Sequence, residues 1–246
     1  MKRRDFLKTI SAAGAASTAP PPAVMTSAHA QSRQETLLVV TEYAPNNFDI
    51  HGVGTNRPGY EVSWNCYDRL MTHGEKTLPD GSKSYDRDKF EPELATDWNL
   101  TDTSVTFKLR KDATFHDGTP TAAKDVKWSF DRAVTVGGFP TFQMKAGSLE
   151  KPEQFVAVDD HTFRVDFIRK DNLTMPDLAV IVPGVYHSEL IKKNVTEKDP
   201  WGLEYTKTNI AGGGAYKVTR WQAGSEVVFE RNDAWKCCQL PAIKRA

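Results

Sequence analysis

Alternating apolar and polar positions predict three strand pairs along the chain. In the stretch 95–110, Val105 and Phe107 alternate with polar neighbours, which is the two-residue period of a half-buried strand. The stretches 154–168 and 212–233 alternate in the same way around short polar turns. We therefore expect three hairpins.

Other stretches predict helices and loops between these hairpins. An apolar, β-branched run predicts a strand at 36–42, and the Pro-, Asn- and Gly-rich stretch 43–59 predicts a long loop. Helical spacing of apolar residues predicts a helix over 60–73 and another after Pro120. The Gly- and Pro-containing stretch 137–147 is predicted as a loop. Hairpins mixed with helices, without strict βαβ alternation, indicate an α+β fold.

The first thirty residues have the composition of a secretory signal. Basic residues precede an Ala-rich stretch, and the small-x-small site Ala28-His29-Ala30 predicts cleavage after Ala30. Arg3-Arg4, followed by Asp5-Phe6-Leu7-Lys8, resembles the twin-arginine motif that the Tat export machinery reads. The stretch is too short and too rich in Ser, Thr and Pro for a membrane helix. We therefore expect a removed leader and a soluble, periplasmic protein.

Charge and cysteine content exclude several classes of function. The chain has 32 basic and 32 acidic residues, and loss of the basic leader makes the remainder slightly acidic, so neither nucleic acid nor an anionic membrane is expected as a partner. Cys66, Cys237 and Cys238 are odd in number and form no CxxC motif, so they predict neither a disulfide framework nor a zinc site. The histidines are scattered, and we predict no metal and no cofactor.

His116-Asp117-Gly118 invites a catalytic interpretation, but a turn explains it better. Asp117-Gly118 suits a tight turn, and Pro120 fixes the backbone before the following helix. Catalysis would require a nucleophile or a metal beside the histidine, and no neighbouring residue supplies one. A secreted hydrolase stays an alternative function, although the sequence has neither GxSxG nor HExxH. We expect no catalytic residues and no enzymatic activity.

Several motifs occur in the order typical of one family of binding proteins. The stretch 93–133 resembles the signature region of the family 5 extracellular solute-binding proteins, which are the peptide-, dipeptide- and nickel-binding components of ABC importers. The matching pieces are Leu94-Ala95…Trp98, Phe107-Lys108-Leu109-Arg110, Phe115-His116-Asp117-Gly118, Ala123…Asp125-Val126, Tyr67-Asp68-Arg69-Leu70, Gly212 to Trp221 and Arg231-Asn232-Asp233-Ala234-Trp235. The resemblance covers nearly all of residues 36–246.

The resemblance implies a fold and a mode of action. It implies an α+β, N-terminal lobe of a two-lobed periplasmic binding protein (type II, cluster C-like), with a core sheet part at 31–48 and about 191–246 and an inserted subdomain at about 49–190. Such proteins close two lobes on a small solute, here expected to be a peptide, and deliver it to a membrane permease.

The chain also departs from the family pattern. Family members are usually considerably longer, so the resemblance implies a truncated N-terminal half whose second lobe is missing. Cys237-Cys238 stands where Gly-Gly is common, and the family's Gly-Thr-Gly-Pro-Tyr is Gly212-Gly213-Gly214-Ala215-Tyr216 here. A fragment that neither folds stably nor binds is therefore a further alternative.

Two loops are predicted to form the wall of the ligand cleft. Aromatic side chains and methionine in loops rich in Gly, Pro and Asn suit a permissive pocket, whereas packing beneath long loops is the alternative explanation. The predicted ligand-binding residues are Tyr43, Asn46, Asn47, Phe48, Phe139, Phe142 and Met144.

Overall fold

The computed structural model describes residues 35–246. The predicted leader, including Arg3-Arg4 and the cleavage site after Ala30, lies outside the described residues. The helices are α1 Arg57–Cys66, α2 Ala123–Thr135, α3 Gly138–Ala146, α4 Thr174–Leu178, α5 Ser188–Lys192 and α6 Leu203–Thr206. The strands are β1 Met71–Thr77, β2 Lys83–Pro92, β3 Ala95–Leu100, β4 Ser104–Leu109, β5 Phe155–Asp159, β6 Thr162–Asp166, β7 Tyr216–Gln222 and β8 Glu226–Arg231.

A four-stranded antiparallel sheet in the order β3-β4-β6-β5 lies against α2. The alternation in β4 buries Val105 and Phe107, as the sequence predicts. Phe130 of α2 packs edge-on against Phe155 and Phe163 of the sheet, with ring centroids 5.2 and 5.1 Å away. Edge-to-face packing of this kind adds about 0.5–1.5 kcal/mol per pair beyond the area buried. The hairpins predicted at 95–110 and 154–168 are confirmed.

The helix predicted over 60–73 is shorter than expected. The structure ends α1 at Cys66, and Tyr67 is already extended, with φ −120° and ψ 146°. The next backbone carbonyl, that of Asp68, accepts a hydrogen bond from the amide of Val185 at 2.8 Å, so tertiary pairing replaces the next helical turn. The chain then forms the β1–β2 hairpin, whose β2 strand has no buried residue and therefore gives no apolar alternation in the sequence.

The stretch 137–147, predicted as a loop, instead forms helix α3. Pro140 is compatible with this helix because it lies in the first turn, where backbone amides have no intrahelical acceptor. The Thr141 hydroxyl accepts a hydrogen bond from the Gly137 amide at 2.9 Å and helps to fix the start of the helix. The loop prediction was wrong because Gly and Pro were given more weight than their position in a first turn warrants.

The predicted strand at 36–42 is reduced to one bridge. Thr36 pairs in parallel with Arg245, and the Leu37 amide donates to the Arg245 carbonyl at 2.8 Å. Leu38, Val39 and Val40 are exposed, so in the part of the chain that the structure describes nothing covers the apolar run and no further strand pairs with it. Arg245 also bridges to Glu230 of β8, beside the confirmed β7–β8 hairpin. The division into a core sheet part and an inserted subdomain stays a prediction.

The Gly-rich segment 212–214 packs tightly against the end of α1. A Cβ atom on Gly212 would lie 2.1 Å from the carbonyl oxygen of Cys66, and one on Gly214 would lie 2.6 Å from the Cys66 carbonyl carbon. The Gly214 amide donates to the same Cys66 oxygen at 3.0 Å. These glycines therefore serve close backbone contact, a role that no other residue type can fill.

Candidate functional site

The loop that precedes α1 is closed by paired asparagines. The Asn46 amide donates to the side-chain oxygen of Asn56 at 3.2 Å, and the Asn56 amide donates to that of Asn46 at 3.0 Å. Asn56 also caps α1 by accepting from the Gly59 amide at 3.1 Å. Inside the loop, the Asn47 side-chain oxygen accepts from the Asp49 amide and from the Thr55 hydroxyl. Side-chain hydrogen bonds thus replace regular secondary structure over these residues.

A buried ion pair fastens this loop to α2. The Arg132 guanidinium donates from Nη1 and Nη2 to the two carboxylate oxygens of Asp49, at 2.9 and 2.6 Å. The carboxylate also accepts from the hydroxyls of Tyr186 and Thr206, at 2.9 and 2.6 Å. Burial alone would raise the pKa of Asp49, but the charge and hydrogen bonds of Arg132 outweigh it and hold that pKa well below its usual range. Asp49 is therefore a fixed anion that joins the loop, α2 and α6.

His51 lies beside this ion pair and is fully buried. Its Nε2 lies 2.6 Å from the carbonyl oxygen of Val182. Burial, together with the positive charge of Arg132, lowers the pKa of His51 to about 4. The imidazole is accordingly neutral at neutral pH, with its proton on the nitrogen that faces Val182.

Aromatic side chains gather where the loop meets α3. The rings of Tyr60 and Phe139 stack, with centroids 5.6 Å apart and an interplanar angle of 25°. Val53 lies against Gly138, since a Cβ on that glycine would be 3.3 Å from a Val53 methyl group. Phe142 follows Phe139 by three residues on α3 and shares its face. We call Val53, Tyr60, Phe139 and Phe142 the aromatic ledge.

The ledge is open to solvent. Val53 is 70% exposed, Phe139 45% and Phe142 72%, and Tyr60 is partly buried beneath Phe139. Exposed apolar side chains that adjoin one another are a common mark of binding surfaces. The ledge is therefore a surface suited to contact an apolar ligand group.

The seven predicted ligand-binding residues fall into different environments. Phe139 and Phe142 lie on the ledge, and Tyr43 is exposed elsewhere on the loop. Phe48 is buried against Trp221, with ring centroids 4.4 Å apart, and Met144 is fully buried. Asn46 and Asn47 hold the loop closed through the hydrogen bonds described above. Each buried residue has a packing role, and ligand contact by any of the seven stays a prediction.

The sequence analysis missed the residues that hold the site together. Arg132 lies on the buried face of α2 between Phe130 and Ala133. A charge at an inward position signals a buried partner, because an unpaired charge would not be tolerated there. Val53 and Tyr60 gave weaker signals, since nothing in the sequence shows that their loop and helix reach α3.

His116-Asp117-Gly118 forms a turn that anchors the Gly-rich segment. Gly118 has φ +88°, a conformation that favours glycine. The His116 amide donates to the Gly212 carbonyl at 2.9 Å, and its Nε2 lies 3.1 Å from the Gly214 carbonyl. Burial lowers the pKa of His116 to about 4. The surroundings are those of a structural histidine, in agreement with the turn interpretation.

Across residues 35–246, no group of three or more His, Cys, Asp or Glu side chains is arranged to hold a metal ion. Within the same range, no helix is both long and apolar enough to cross a membrane.

Comparison with known proteins defines the family. Residues 89–246 match the bacterial extracellular solute-binding proteins, family 5 Middle. The chain belongs to this family, as its motifs predict. It is 28% identical over 210 residues to the probable D,D-dipeptide-binding periplasmic protein DdpA of Escherichia coli, covering 83% of this chain and 37% of that protein. It is 29% identical over 164 residues to the periplasmic oligopeptide-binding protein OppA of Salmonella typhimurium, covering 57% of this chain and 28% of that protein.

Solved structures show the same fold. The structure of OppA of Haemophilus influenzae in complex with RPPGFSPFR superposes with a TM-score of 0.64 at 21% identity, covering 83% of this chain and 39% of that one. The predicted α+β binding-protein lobe is therefore confirmed. The chain spans 37% of the length of DdpA and a similar share of the structures that it matches.

Proposed function

We propose that the chain is the solute-contacting part of a periplasmic binding protein that serves an ABC importer. It would capture peptides or a similar small solute and deliver them to a membrane permease. Family membership supports the binding role, and relatives named for dipeptides and oligopeptides support the class of ligand. Capture and release need no covalent step, so we also propose that the protein is not an enzyme.

The aromatic ledge is the observation that carries this proposal. Val53, Phe139 and Phe142 are exposed although burial of one Phe side chain is worth about 1.5–3 kcal/mol. A ligand that covers the ledge would recover that free energy. Peptides bring apolar side chains of many shapes, and a stacked pair such as Tyr60–Phe139 offers a flat surface without a fixed hydrogen-bond pattern.

Export and architecture complete the proposal. The basic, twin-arginine start of the sequence supports export by the Tat machinery, cleavage after Ala30 and a periplasmic location. The pairing of Thr36 with Arg245 beside β8 supports a core sheet part built from both ends of the described chain, with residues of about 49–190 inserted between them. In a two-lobed clamp, the ledge would face the second lobe across the ligand.

A thermal-shift titration tests the proposal. The full chain is heated with increasing concentrations of pooled dipeptides, tripeptides and longer peptides, and with sugars as a comparison class. A ligand at 100 times its dissociation constant stabilises the native state by about 2.7 kcal/mol, so a peptide ligand should raise Tm in a saturable manner. A cooperative transition that no peptide shifts would refute peptide binding. Turnover of chromogenic ester or peptide substrates would instead favour the hydrolase.

A further inference from the structure

Cys237 and Cys238 place two thiol groups side by side just after β8. Their Sγ atoms lie 3.1 Å apart, Cys238 is exposed and Cys237 is half-buried. Cys237 also borders a small cleft with Asp68, Arg110 and Trp235. No part of the proposed ligand capture uses these sulfurs.

The two thiols differ in how readily they ionise. A hydrogen bond from the Cys237 thiol lowers the pKa of Cys238, and this effect outweighs burial and the nearby negative charge of Glu93, which raise it. The same hydrogen bond and burial raise the pKa of Cys237, so Cys238 is the thiol that ionises first. Thiolates next to a cation are the nucleophilic form of cysteine. A disulfide between the two is strained, because neighbouring Cα atoms are about 3.8 Å apart whereas disulfides usually span about 4.4–6.8 Å. A ring in which a third atom joins the two sulfurs avoids this strain.

The separation of the sulfurs limits which atom can bridge them. Suppose that one atom is bonded to both sulfurs, with bonds of about 2.3 Å, the length of a zinc–thiolate bond. At the observed separation of the sulfurs, the angle between these two bonds would be about 85°. Tetrahedral zinc needs sulfurs about 3.8 Å apart and two further ligands. In residues 35–246 no third His, Cys, Asp or Glu completes such a set. A pyramidal, three-coordinate atom that already carries one organic substituent has two bonds left to form, and these two sulfurs can supply both.

We infer that Cys237 and Cys238 form a chelating site for trivalent organic arsenicals and similar thiophilic metalloids. With an arsonous acid, two S–H bonds and two As–O bonds break and two As–S bonds form. Each thiol proton leaves with one hydroxide as water, and no atom changes oxidation state. The product is a ring that holds arsenic between adjacent residues at the protein surface.

Titration with phenylarsine oxide tests the site. The full chain is reduced, freed of reductant under nitrogen and followed by intact mass and by tryptophan emission. We expect one phenylarsenic adduct per chain, which resists excess glutathione and is removed by 2,3-dimercaptopropanol. Absence of the adduct from the reduced native chain would overturn the inference.

Three variants show whether chelation is responsible. Cys237→Ser and Cys238→Ser each leave one thiol, and we expect binding about 100-fold weaker or more because the second bond is no longer intramolecular. Cys66→Ala removes a fully buried thiol of α1 and should keep the adduct. Equal affinity in either serine variant would contradict the inference. Alkylation of the native chain with iodoacetamide should also block uptake, which tests the same thiols without a substitution.

Discussion

Arg132 and Asp49 form a bidentate ion pair that is wholly shielded from solvent, with side chains 0% and 1% exposed. The pair joins residues 83 positions apart and fixes the loop that carries Val53 to the helix that precedes α3. The geometry of the aromatic ledge therefore depends on a contact that is not itself part of the ledge.

Asp49→Ala should destabilise the protein strongly. Removal of one partner leaves Arg132 charged and buried, which typically costs about 3–5 kcal/mol. The free energy of unfolding in urea, extrapolated to water, measures this loss. The exposed pair Arg57–Glu61 supplies the control, because Glu61→Ala should change stability by about 1 kcal/mol or less.

A double variant separates charge from packing. Asp49→Leu combined with Arg132→Met removes both charges and keeps apolar volume. We expect it to be more stable than Asp49→Ala, since apolar replacement of a buried pair is often neutral. A double variant as unstable as the single one would show that the hydroxyl partners of Asp49 matter more than its charge.

Gly212→Ala should be among the most harmful small substitutions in the chain. The new methyl group would meet the Cys66 carbonyl oxygen at 2.1 Å, and the clash involves backbone that cannot rotate away. We expect a loss of about 3 kcal/mol, the upper part of the range for overpacking, measured by chemical unfolding. Gly74→Ala is the matched control because its nearest neighbours are atoms of the flexible Lys89 side chain. Similar losses in the two variants would contradict the close-contact role.

The ionisation of Asp68 should make stability depend on pH. Burial raises its pKa to about 6 from 3.8, although the Trp235 indole donates a hydrogen bond to its carboxylate at 2.8 Å. Because the folded state binds this proton more tightly, the associated stability is complete below about pH 3.8 and is lost as pH rises through about 6. Burial likewise raises the pKa of Asp177 to about 6, which acts in the same direction as Asp68. His51 and His116, whose pKa values are lowered to about 4, act in the opposite direction, so the contributions of these four groups largely cancel in the native chain.

Asp68→Asn isolates this contribution. Relative to the native chain, the variant should gain stability between pH 4 and pH 7.5 by an amount on the order of 2–3 kcal/mol. Tryptophan emission of the native chain should also titrate with a midpoint of about 6, a step that Asp68→Asn abolishes. Asp102→Asn, at an exposed turn, is the control. A constant difference between variant and native chain at every pH would refute the assignment.

Phe139→Ala should weaken ligand binding without unfolding the protein. If a ligand covers the Phe139 ring, loss of the ring removes about 1.5–3 kcal/mol of binding free energy. This corresponds to roughly a tenfold to hundredfold increase in Kd. Isothermal titration calorimetry with the peptide selected by thermal shift measures this change in Kd. Tyr85→Ala removes a more exposed aromatic ring from β2 and should leave Kd unchanged. Unchanged affinity in Phe139→Ala would remove the ledge from the binding surface.

The sequence predicted three of the hairpins because their signals are local, and it missed the β1–β2 hairpin, whose β2 strand has no buried face. In β4 the two-residue period, the buried face and the turn lie within one short stretch, and no distant contact alters them. The family motifs were equally local, since each is a few neighbouring residues.

Two of the errors arose where distant contacts decide the structure. The end of α1 depends on the hydrogen bond from the Val185 amide to the Asp68 carbonyl. Whether the apolar run at 37–40 forms a strand depends on whether another strand pairs with it and covers it. The candidate site shows the same limit. Phe139 was predicted from loop composition, but its partner Tyr60, and Asp49 as the partner of Arg132, could not be predicted, because these residues meet only through folding.

The buried contacts of Asp49 also bear on how a ligand would be received. Since this carboxylate ties the loop to α2 and α6 through contacts within the chain itself, the conformational entropy of ordering the loop is already lost when the chain folds. A bound molecule would meet a preorganised surface, and its affinity would not be reduced by loop closure. Association should accordingly be limited by encounter with the surface and not by a slow rearrangement of this loop.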